Sequence, residues 1–203
     1  MNSKFFSARN VALLGILIAL VIVLQLFASA IPMLGVTLNF SLIPIALASI
    51  LLGWFGGAIV GFACGMVVWI TMAVLGQEPS TAALFQASPV ILTIMCIGKT
   101  TVSGLVAGLV FKWVSKKNSF VAVVISAVLI PVVNTGIYML GMVVMQDAVA
   151  AFLSLNSWSA GIIFTVVFGM IWLNFVLEMA INLIFIPMIH RVIKVVQKAI
   201  RTE

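Results

Sequence analysis

From Val11 to Ala28 the chain runs without a charged residue, and five further stretches of similar character follow it. A helix needs ~20 largely apolar residues to cross a bilayer. Six such stretches in 203 residues leave no length for a separate soluble domain. Charged residues make up only 7% of the chain, against ~25% in soluble domains, so no water-soluble core could hide this surface. The predicted fold class is an all-α membrane protein, one integral membrane domain over 1–203 built as a bundle of six transmembrane helices. Lys4 and Arg9, the apolar run and Ala28-Ser29-Ala30 imitate a secretory leader. The run exceeds the ~7–15 residues of a leader's apolar region, and it is read as a retained first span.

The expected spans are 11–30, 41–53, 56–76, 86–113, 119–144 and 158–190, with an amphipathic tail over 191–203. Breaks are marked by Pro32 and Gly35, by Gly53 to Gly57, by Gly76 to Thr81, by Ser115 to Asn118, and by Asn156 with Ser157. Nine of the ten basic residues fall in three places: before the first span, between the fourth and fifth, and after the sixth. With six spans these places share one side, and the other side carries Glu78 and Asp147 without Lys or Arg. The positive-inside rule then puts both termini in the cytoplasm. In the tail, Arg191, Lys194, Lys198 and Arg201 share one helical face, suited to lying along lipid headgroups or meeting a partner.

Small residues recur four apart: Gly53, Gly57, Gly61 and Gly65 in the third span, Gly104 and Gly108 in the fourth, Gly15 and Ala19 in the first. Such stripes let helix backbones approach closely where water cannot drive packing. The third- and fourth-span stripes are read as internal packing, and the Gly15–Ala19 pair as able to face another subunit. Cys64 and Cys96 lie within apolar spans and carry neither a disulfide nor a metal signal.

Two ionisable residues fall inside spans, Lys99 and Glu178, and each costs at least ~2.5–3.5 kcal/mol at membrane depth. Lys99 is thirteen residues from Lys112, and Glu178 thirteen from Arg191, so both lie ~20 Å from their basic markers. Asn134 is seventeen residues from Lys117 and Asn174 seventeen from Arg191, about one turn farther out at ~26 Å. Tyr138 shares a face with Asn134, as Glu178 and Asn182 do with Asn174. Pro131 opens the backbone beside Asn134. Three helices therefore converge on one polar pocket. It is either a structural Lys99–Glu178 pair or a site in which Lys99 meets an anionic group and the asparagines and Tyr138 bond a polar solute. The outer connections 77–88 and 145–157 are its natural lid. No nucleophile with a base, carboxylate pair or metal cluster stands at matching depth, and no catalytic residue is expected.

The chain resembles the substrate-binding S components of energy-coupling factor (ECF) vitamin transporters along nearly its whole length. The likeness rests on Val11 to Ala19 after a short basic start, on Val36 to Pro44 with the glycine-rich turn that follows, on Pro131 to Tyr138, and on Asn174 to Glu178. The resemblance implies a six-helix subunit in a prokaryotic plasma membrane that captures a vitamin from outside. It implies a transmembrane coupling subunit, met through Gly15 and Ala19, and two ATPase subunits that hold ATP and Mg²⁺, leaving this chain without a cofactor. The arrangement is most similar to pantothenate-specific members, with Lys99, Asn134, Tyr138, Asn174 and Glu178 as the binding residues. Another vitamin such as riboflavin or folate, or a stand-alone secondary transporter, is the alternative.

Overall fold

The computed structural model describes residues 7–29, 39–152 and 160–201. The expected breaks at Pro32, Gly35, Asn156 and Ser157 lie outside the described residues. Eight helices follow in order: α1 (Ala8–Ser29), α2 (Leu42–Leu51), α3 (Gly53–Val68), α4 (Pro79–Ala87), α5 (Pro89–Val114), α6 (Ser119–Val144), α7 (Gln146–Phe152) and α8 (Ala160–Arg201). A π-helical turn, Trp69–Val74, prolongs α3.

Five of these helices are long and apolar enough to cross a membrane: α1, α3 with its π turn, α5, α6 and α8. The second expected span, 41–53, corresponds to α2, whose ten residues rise only ~15 Å, about half the hydrocarbon thickness. Its sequence reads as a span because every residue from Leu42 to Ile50 is buried, here by protein. Around it pack α1, α3, α5, α6 and α8. A buried short helix and a spanning helix have the same apolar composition, and length alone separates them.

Two other expectations change. The fourth span was drawn from 86, but a break at Ser88 separates α4 from α5, and each helix opens on a proline, Pro79 and Pro89. Proline suits a first helical turn, where its missing N–H has no partner to lose. The outer connections are helical in part, as α4 and α7. The expected tail runs on from the span: α8 continues without interruption to Arg201, one helix of ~63 Å. Pro187 lies within it and deprives the Leu183 carbonyl of its helical partner.

The glycine stripes form the tightest seam of the bundle. A methyl group on Gly57 would overlap the Gly104 carbonyl, one on Gly61 the Thr100 carbonyl, one on Gly65 the backbone at Ile97, and one on Gly108 the backbone of Trp54. The Ser49 hydroxyl on α2 reaches the Gly104 carbonyl at 2.9 Å, tying the short helix to the seam. Gly53 has a different duty, since its φ of 76° makes the tight turn between α2 and α3.

Gly104→Leu would force α3 and α5 apart and lower the unfolding midpoint of the detergent-solubilised protein, by the equivalent of about 3 kcal/mol or more. Gly98→Ala, where a methyl meets nothing within 4 Å, leaves it unchanged. Thermal unfolding followed by circular dichroism checks both.

Candidate functional site

A cavity of about 60 Å³ lies among α1, α5, α6, α8 and the π turn, roofed by Glu78 and Thr81 at the start of α4. All five residues singled out from the sequence line it: Lys99 from α5, Asn134 and Tyr138 from α6, Asn174 and Glu178 from α8. The depth argument from helical rise thus brings three helices to one place.

The Lys99 ammonium stands 4.5 Å from the centre of the Tyr138 ring, a cation–π contact worth about 0.5–2 kcal/mol depending on desolvation. Glu178, only 3% exposed, has partners other than a lysine. Its Oε1 accepts the Asn39 backbone N–H at 3.2 Å and the Asn174 side-chain amide at 3.2 Å. Asn182 is buried on the same face, and its amide donates to the Glu178 carbonyl at 2.9 Å. It braces the helix and does not line the cavity.

Three polar atoms of the lining are buried without a hydrogen-bond partner among the described residues: Asn134 Oδ1, Asn174 Oδ1 and Glu178 Oε2. All three accept and none donates. The cavity therefore offers one ammonium and three open acceptors. Such a set suits a solute with one anionic group and several hydroxyl or amide donors.

Sequence reasoning missed several of the walls. Gln25 is a polar interruption of the first apolar run, and it lines the cavity at 2% exposure. It accepts the Ser41 hydroxyl at 2.8 Å, and Ser41 in turn accepts the Cys64 thiol at 3.3 Å. Asn39 lies beside them and carries the link on to Glu178. Gln25 was legible as an unexplained polar residue among aliphatics, and Asn39 fell within a segment already singled out. Glu78 was read only as an outer-side charge, and its place in the roof depends on α4 folding back over the π turn. There Trp69 meets Phe85 edge-on, ring centres 6.1 Å apart. Met72 enters the lining because the π turn brings three successive residues, Thr71, Met72 and Ala73, to the interior.

Gly15 and Ala19 are exposed on α1, and a methyl on Gly15 would meet nothing within 4 Å. The stripe is thus unused inside the chain, unlike those of α3 and α5.

Comparison with curated proteins and with solved structures gave no match. The family described as "ECF transporter, substrate-specific component" matches residues 9–190, from the start of α1 past the last cavity residue. Members are substrate-binding subunits without catalytic activity of their own, and membership implies coupling to a transmembrane subunit and to ATPases. A multi-pass membrane chain with a buried polar cavity is consistent with that role. Across residues 9–190 the chain belongs to the substrate-specific components of ECF transporters.

Proposed function

We propose that this chain captures pantothenate from the outer side of a prokaryotic plasma membrane, for import driven by partner ATPases. The observation that carries the substrate is the count of open groups in the cavity. Pantothenate has one carboxylate for Lys99, and two hydroxyls and one amide N–H for the free oxygens of Asn134, Asn174 and Glu178. Among the described residues, Tyr138 is the single aromatic side chain lining the cavity. Trp172 is 51% exposed and Trp69 packs on Phe85, so neither offers the stacking wall a flavin or a pterin would use. Glu178 is held by Asn39 and Asn174, which leaves Lys99 to a ligand.

The cavity of about 60 Å³ holds only about four water molecules, so a vitamin enters by displacing the roof. The segment carrying α4 has the means: Gly76 with φ of 69° at one end and the non-helical Ser88 before Pro89 at the other. The termini face the cytoplasm on the charge pattern, and the exposed Gly15–Ala19 face of α1 meets the coupling subunit.

Equilibrium binding to the purified chain tests the substrate, with riboflavin and folate as controls. Lys99→Met is expected to weaken pantothenate binding about 100-fold or more, since a buried charge pair loses one member. Asn134→Leu is expected to weaken it about tenfold. Tight binding of a different vitamin, or pantothenate binding indifferent to Lys99→Met, would overturn this assignment.

Gly15→Leu and Ala19→Leu are expected to leave solute binding intact while abolishing co-purification with the coupling subunit. Equal recovery of the complex with both variants would remove α1 from the interface.

A further inference from the structure

The cavity holds more negative charge than an anion-capturing site needs. Lys99 supplies one positive charge, and Glu178 and Glu78 line the same space with two carboxylates. Glu178 lies at the α8 wall, bonded to Asn39 and Asn174. Glu78 lines the cavity from the residue that precedes α4. Lys99, Cys96 and Tyr138 line the same space, and the Lys99 ammonium stands 4.5 Å from the centre of the Tyr138 ring. Glu78 and Lys99 therefore border one small cavity of about 60 Å³.

The plainer role for Glu78 is local. It precedes α4, where a carboxylate favours the helix N-terminus, and its Oε2 accepts the Thr81 hydroxyl at 2.7 Å. That role does not require the carboxylate to border the cavity. No side-chain oxygen of Glu78 bonds a backbone N–H of α4, so the usual capping duty is not what holds it there.

We propose that Glu78 is the charge-selectivity residue of the site: it limits the solute to a single negative charge and excludes more highly charged anions such as the solute's own phosphate monoester. The inference rests on the capture reading above. A monoanion pairs with Lys99 and meets the two carboxylates with a single charge. The phosphate monoester of such a solute keeps its carboxylate and adds close to two further negative charges at neutral pH, with the same lone lysine to meet them and both Glu78 and Glu178 in the lining. Like charges brought together out of water are a strong means of rejecting a wrong ligand. Phosphorylation of the solute after uptake would then make it unable to rebind.

The test compares pantothenate with its phosphate monoester on the purified chain and on Glu78→Gln and Glu78→Asp. The wild-type chain is expected to prefer pantothenate strongly. Glu78→Gln should shrink that preference about tenfold, the effect of removing one like charge in a site of intermediate dielectric. Glu78→Asp should keep it. An unchanged preference in Glu78→Gln overturns the proposal while leaving the capture reading intact. A readout without vitamin separates the two: acetylation of Lys99 by an anionic sulfosuccinimidyl ester relative to the neutral succinimidyl ester, followed by mass spectrometry of the Lys99 peptide. That ratio should rise several-fold in Glu78→Gln and stay at the wild-type value in Glu78→Asp. If neither vitamin form binds, the substrate assignment fails, and the acetylation ratio alone upholds or rejects the role of Glu78.

Discussion

Backbone-to-backbone contact between α3 and α5 leaves Lys99 very little choice of position. Gly57, Gly61 and Gly65 press on Gly104, Thr100 and Ile97 with no room for a side chain. The residues flanking Lys99 are thereby fixed against a rigid neighbour. In lipid, apolar surface gains nothing by leaving one helix for another, so close packing of small residues has to supply the attraction. The seam does this, and it sets the depth and rotation of α5. The Lys99 ammonium can then settle over Tyr138 without ordering a flexible helix first.

Against that rigid side, the opposite wall is polar and incompletely bonded. An unpaired buried acceptor costs about 1–3 kcal/mol, and the cavity has three on two helices, α6 and α8. A fold would discard such groups if packing were their only use. A solute that donates to them recovers the cost on binding, which is how a small site can reach high affinity from few contacts. The Ser41 hydroxyl, its one proton shared between Gln25 Oε1 and Asn39 Oδ1, and the Asn39 N–H bonded to Glu178 hold the wall in register. They also tie α1 to α8 across the site.

Much of the site was legible in the sequence because helices in lipid are regular. Basic residues mark the membrane edge, a fixed rise converts sequence distance to depth, and so Lys99, Asn134, Tyr138, Asn174 and Glu178 could be placed together before any coordinates. What could not be read depends on how the chain folds back. Glu78 enters the roof only through the turn at Gly76. Gln25 needs α1 to turn that face inward. The short α2 reads as a span in sequence because burial by protein and burial by lipid select the same residues, and its ten residues fall below the length of the other five. Pro79 and Pro89 did signal two helix starts, and reading them as such would have separated α4 from α5. The continuity of α8 follows from the lack of any glycine or second proline between Met188 and Arg201; a change in the polarity of a helix face is no reason for the helix to end.

That unbroken helix has a mechanical consequence. Glu178, in the cavity wall, and Arg201, at the far end of α8, are twenty-three residues apart, ~35 Å along one axis. Pro187 divides the distance into arms of nine and fourteen residues, ~14 and ~21 Å. The missing hydrogen bond makes Pro187 the softest point of the rod, so the two arms move together only as far as the helix stays straight there. The cavity wall and the segment that carries four positive charges lie on one continuous helix.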